Sequence, residues 1–136
     1  MRHTFLLIAL TLALLACSRS ADVASAKLAV TRFHELLDAG RFTEIFEQSS
    51  DDLKKATTKA EFVALLEAVH RKLGITKSAV DQAWSVNYKI SSKFVTLTYK
   101  TIYSEGESAE QFVFRMQRDS AALVGYHINA NGLIAE

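Results

Sequence analysis

The sequence predicts an α+β domain, with helices first and a four-stranded antiparallel meander after them. Three observations carry this. Apolar residues recur at helical spacing from Ala26 to Leu37. Thr58-Lys59-Ala60-Glu61 opens a second amphipathic stretch with the pattern of a capping box. From Ala83 onward the apolar period falls to two, the signature of half-buried strands. A sheet with one apolar face needs a cover, and the amphipathic helices supply it.

The first helix of the domain is expected to start at Asp22, an N-cap residue type. It buries Ala26, Ala29, Val30, Phe33, Leu36 and Leu37 along one face, and Gly40 stops it. Phe42, Ile45 and Phe46 form the apolar side of a shorter helix. Ser49-Ser50-Asp51-Asp52 breaks that helix and caps a further turn through Leu53. In the Thr58 helix, Phe62, Leu65, Leu66, Val69 and Leu73 line one face, and Gly74 ends it. His70, Arg71 and Lys72 place positive charge in its last turn, where the helix dipole favours it.

Residues 75–82 have no clear period and read as a loop with one helical turn. Trp84, Val86, Tyr88 and Ile90 then share one strand face. Residues 94–103 form a second strand, with Val95, Leu97, Tyr99, Thr101 and Tyr103 continuing the inward set. Residues 104–108 read as a hairpin loop. Phe112, Phe114 and Met116 point inward from a third strand. Arg118-Asp119-Ser120 turns the chain, and Val124, Tyr126 and Ile128 mark a fourth strand. Asn131-Gly132 signals a last turn before the Leu133-Ile134 tail.

Ahead of the domain, Met1-Arg2-His3 is a short basic segment, and residues 5–15 are apolar apart from Thr11. The run is about half the ~20 residues a membrane-spanning helix needs, which favours a cleaved signal peptide. It closes on Leu14-Leu15-Ala16-Cys17, which resembles the lipobox of bacterial lipoprotein precursors. The resemblance implies cleavage before Cys17 and acylation of its thiol and new amine. The alternative is an ordinary secretory signal with an incidental cysteine. The chain divides accordingly into a signal peptide (1–16), a lipidated cysteine with a short tether (17–21) and one α+β domain (22–136). Four tether residues span at most ~14 Å, so the domain stays close to the bilayer. Ser18 after the cysteine, as the resemblance implies for a two-membrane cell, directs it to the outer membrane, facing the periplasm.

The lipobox, the leading helices, Leu73-Gly74 and the ending Gly125-Tyr126-His127-Ile128-Asn129 resemble small bacterial lipoproteins of unknown function. That resemblance covers most of residues 26–134 and implies a cystatin-like or nuclear-transport-factor-like roll. The chain departs from it at Thr76-Lys77-Ser78, where an arginine is expected.

Composition excludes several function classes. Losing Arg2 with the signal peptide balances the cations against 15 Asp and Glu. No basic run exists to neutralise phosphates, which argues against nucleic acid as a partner. Cys17 is the only cysteine, so a disulfide within the domain and cysteine-based metal or nucleophile chemistry are excluded. No His/Cys spacing marks a metal site, and no GxSxG elbow or glycine-rich phosphate loop occurs. No cofactor is expected.

The strand faces place tyrosines, and no Asp, Glu or His, in the interior. Tyrosine, with a reference pKa near ~10, is a poor base at neutrality. His34, with Glu35 and Asp38, could offer ligands on one helical turn, and reads more simply as a solvated helix edge. His70 falls at the edge of a helical apolar stripe, and His127 lies on the outward side of the last strand. Glu105, Glu107 and Glu110 read as a solvated, aggregation-blocking loop. No catalytic residue is assigned.

The sequence thus points first to a lipid-anchored, non-enzymatic domain of the cell envelope that binds another protein or an envelope component. Its membrane contact is the lipid on Cys17, and Phe94, Ile102, Val113 and Leu123 form an outward apolar patch for a partner. The second reading is a carrier or sensor of a small apolar ligand, held in a pocket lined by Trp84, Tyr88, Tyr99, Tyr103 and Tyr126. The plainer account of those rings is core packing. An enzyme using a helix-borne acid or base is the third.

Overall fold

The computed structural model describes residues 2–118 and 120–130, with side chains from residue 17 onward. Four helices, α1 (Arg2–Asp38), α2 (Phe42–Gln48), α3 (Asp51–Ala56) and α4 (Lys59–Leu73), precede four strands. These are β1 (Thr76–Lys89), β2 (Ser92–Tyr103), β3 (Gly106–Gln117) and β4 (Ser120–Ala130). The strands form one open antiparallel sheet in the order β1-β2-β3-β4, the α+β class the sequence predicts.

α4 starts where the capping box places it. Thr58 Oγ1 accepts from the Glu61 amide at 3.2 Å, and the Glu61 carboxylate accepts from the Thr58 amide at 3.1 Å. Gly74 ends the helix at φ +77°. The Ser50 hydroxyl caps α3 and also donates to the Leu123 carbonyl at 2.9 Å, which ties that short helix to β4. Ala26, Val30 and Leu37 of α1 pack with Leu66 and Val69 of α4 and with Val95, Leu97 and Phe112 of the sheet in one core.

Several elements differ from the sequence reading, each for a physical reason. α1 runs unbroken through residues 18–22, so Asp22 is not an N-cap. Its carboxylate instead accepts from Lys93 Nζ at 2.6 Å. β1 begins at Thr76, seven residues before the visible alternation. Bulges between Thr76 and Ser78 and between Asp81 and Ala83 shift the pairing with β2 and erase the period of two in residues 76–82. A third irregularity, between Val113 and Phe114, sets Phe114 opposite Leu123 and passes over Val124. Leu123 is therefore buried in the core rather than part of an outward patch. Asp119, Asn131-Gly132 and the Leu133-Ile134 tail lie outside the described residues, as do the side chains of residues 1–16.

Candidate functional site

Among the described residues the sheet buries one carboxylate, and it is the most buried charged group among them. β3 alternates Ser108, Glu110, Phe112 and Phe114 toward the core, so Glu110 shares a face with two phenylalanines and is 1 % exposed. Such a group is stable inside only when its lone pairs are filled. Glu110 meets that condition with donors from three other elements. His34 on α1 lies with Nε2 2.9 Å from Oε1. Tyr103, the last residue of β2, donates to Oε2 at 2.9 Å, and Tyr126 on β4 donates to the same oxygen at 2.5 Å.

The electrostatics follow from this arrangement. Burial pushes the Glu110 carboxyl up, but the hydrogen bond and attraction of His34, helped by Thr101 and Tyr126, outweigh it and hold the group below its ordinary range. Burial, reinforced by the Glu110 charge, drives both Tyr103 and Tyr126 far above the ordinary phenol value. The tyrosines are therefore neutral donors to a carboxylate, and a carboxylate requires His34 to carry its proton on Nε2. Thr101 and Ser108, opposite each other on β2 and β3, bury hydroxyls that have no partner of hydrogen-bonding geometry among the described residues. Thr101 still favours the charged form of Glu110 by proximity.

Aromatic rings enclose the cluster. Phe112 packs edge-on to His34 at 5.8 Å and to Tyr99 at 5.9 Å, and Phe33 lies 4.7 Å from Tyr126. His34 forms one wall of an open groove of about 470 Å³ between α1 and the β1 edge. Leu28, Val30, Ala79 and Tyr99 line that groove, and the Lys27–Asp81 ion pair, at 2.9 Å, borders it.

This places His34 and Glu110 otherwise than the sequence reading. Neither is solvated, and the interior does hold a strand carboxylate. The signal was present in both cases. Glu110 is in phase with Phe112 and Phe114, and His34 follows Val30 by four residues and precedes Leu37 by three. Of the remaining histidines, His70 packs its ring against Phe42 at 5.7 Å and His127 is exposed.

The five aromatic pocket candidates do not converge on one cavity. Tyr99, Tyr103 and Tyr126 are buried around Phe112 and Glu110. Trp84 borders a separate groove against Val23 and Lys27 of α1, and Tyr88 is more than half exposed. Of the patch candidates, Phe94 and Ile102 are half-buried, as is Val113. The Phe94 ring is covered in part by the Arg115 guanidinium at 5.2 Å and by Lys89 at 5.9 Å. Cys17 is exposed on α1. Among the described residues no helix is long and apolar enough to cross a membrane, and no group of three or more His, Cys, Asp and Glu is placed to hold a metal ion.

No curated protein matches the chain. The sequence pattern of one family, described as a protein of unknown function (DUF4019), matches residues 29–126, from the middle of α1 to Tyr126, and the chain belongs to that family.

Proposed function

We propose that this chain is a lipid-anchored envelope lipoprotein whose domain, a cystatin-like or nuclear-transport-factor-like roll, binds a protein or another envelope component and catalyses no reaction. The observation that carries the reading is Cys17. It closes the lipobox-like run, it is the sole cysteine, and its side chain is exposed on the helix that enters the core. Cleavage before Cys17 leaves the acylated residue about 9 Å along the helix from Val23, the first buried apolar residue among the described side chains of α1, at ~1.5 Å per residue. The anchor is then a stiff extension of α1, not a loose tether.

The closed Glu110 network supports binding over catalysis. Both carboxylate oxygens are already engaged, and the two tyrosines are held in their neutral form. A general acid or base needs a proton it can exchange near the operating pH. The groove beside His34 supports a second reading, a small apolar ligand. Its size falls in the usual range for such sites, and Leu28, Val30, Ala79 and Tyr99 give it apolar walls.

Metabolic labelling with an alkynyl fatty acid tests the anchor. The wild-type chain should take up label and the Cys17→Ser variant none; an unlabelled wild-type chain overturns the assignment. Cross-linking in intact envelopes tests the rest. A captured protein or envelope component supports the leading reading, and a copurifying small apolar molecule in its place supports the second.

A further inference from the structure

Among the described residues, five of the seven exposed large apolar side chains lie on or beside β1, the others being Leu28 of α1 and Leu65 of α4. Val80, Trp84 and Tyr88 on the strand, with Ile75 before it and Ile90 after it, are all large apolar side chains open to solvent. Ile90, at the tip of the β1–β2 hairpin, is fully exposed, and its φ is +51°. A β-branched residue is disfavoured in that left-handed region, and a tight hairpin normally places Asn or Gly there. The tip thus holds an apolar side chain at a cost in both conformation and solvation. Strain kept at such a position points to function.

The hairpin extends from the same end of the domain as Cys17. α1 runs antiparallel to β1: Asp38 bonds Thr76, Lys27 pairs with Asp81, and Asp22 pairs with Lys93, the residue opposite Tyr88. Val23 and Trp84 border one groove. From there the strand rise of ~3.3 Å per residue carries Ile90 ~20 Å outward. The helix rise carries Cys17 ~9 Å in the same direction. Lys89 and Lys93 flank Tyr88, with Lys93 Nζ 5.8 Å from its ring, and Arg19 lies beside Trp84.

We propose that the β1–β2 hairpin is a bilayer-docking surface. Ile90 and Tyr88 enter the boundary between headgroups and acyl chains of an anionic membrane, and Trp84 lies at its polar edge. Lys89 and Arg19 meet lipid phosphates. Tryptophan and tyrosine favour that zone because one end of each ring is apolar and the other polar. Lysine and arginine next to it are drawn to anionic lipid. The inference rests on the Cys17 anchor, which turns this end toward the membrane.

The test uses the full chain reconstituted into phosphatidylethanolamine–phosphatidylglycerol vesicles. Trp84 is the only tryptophan, and Trp84→Phe combined with Ile90→Trp moves that reporter to the tip. The tip tryptophan should show blue-shifted emission, lose quenching by aqueous acrylamide and gain quenching by brominated acyl chains. Ile90→Asn, read through Trp84, should weaken the vesicle-dependent shift while melting no lower than the wild type. A tip as accessible to acrylamide as a free tryptophan peptide overturns the proposal. So does a blue shift that appears without vesicles and tracks dimer formation, which would assign the surface to a second copy paired along β1. Mass spectrometry of the same sample reads acylation. An acylated chain with an accessible tip defeats the docking surface alone, and an unacylated chain with a buried tip defeats the anchor alone.

Discussion

His34 and Glu110, 76 positions apart in the chain, meet at 2.9 Å in the core, and their contact fixes α1 to the middle of β3. A helix lying across a sheet through apolar contacts alone can slide. A buried polar contact has one register in which every partner is satisfied. Glu110→Gln keeps the shape but removes the charge that three donors address. It should destabilise the domain by ~1–3 kcal/mol, measured as a lower urea midpoint with an unchanged slope. A Gln variant as stable as the wild type would show that the charge contributes nothing.

The same network predicts how stability depends on pH. The Glu110 carboxyl lies below its ordinary value in the folded chain. Its contribution is therefore complete above the unfolded value of ~4.3 and is lost as pH falls through the lower folded value. Tyr99, Tyr103 and Tyr126 lie above theirs, chiefly through burial. Their contribution is complete below ~10 and is lost as pH rises beyond it. Denaturant midpoints should form a plateau between these limits. Above pH ~10, Tyr103→Phe should reduce the alkaline slope by up to ~1.4 kcal/mol per pH unit, one proton's share. An unchanged slope would mean that Tyr103 ionises as freely in the folded chain as in the unfolded one.

Much of the fold was legible because local chemistry and tertiary packing agree. The Thr58–Glu61 box and the stripe from Phe62 to Leu73 require only neighbours within a helical turn, and α4 forms where they place it. The inward set of β2 holds because nothing interrupts its pairing with β3. Legibility ends at the bulges. Thr76, Asp81 and Val113 border register shifts that only the partner strand reveals, and one of them turns Leu123 from the outer face to the core. Glu110 was misread for another reason. A carboxylate three residues beyond Glu107 resembles part of a solvated loop until its donors, on α1, β2 and β4, are brought to it by the fold.

Gly74 is a position where backbone shape and close approach coincide. Its φ of +77° suits glycine, and a Cβ built there would lie 2.0 Å from Ser104 Oγ. That hydroxyl cannot simply swing away without loss, because it accepts from the Ile75 amide at 3.1 Å and helps close the junction between α4 and β1. Gly74→Ala should therefore destabilise by ~1–3 kcal/mol, seen as a lower thermal midpoint. Pairing it with Ser104→Ala, which removes the clashing atom, should recover less than the whole loss, since the strained φ and the missing acceptor remain. Full recovery would assign the cost to the clash alone.

Ile90 presents the opposite case, a side chain whose removal should help the fold. Its φ of +51° and full exposure mean that the folded state gains no burial from it and strains the hairpin turn. Asn and Gly enter that conformation at lower cost, so Ile90→Asn or Ile90→Gly should raise stability by up to ~1 kcal/mol. Thermal melts of the three chains in buffer check that both variants melt above the wild type. A wild-type chain that melts above both variants would mean that Ile90 is supported by contacts in the folded state, and the hairpin tip would then have to be regarded as part of the packed domain.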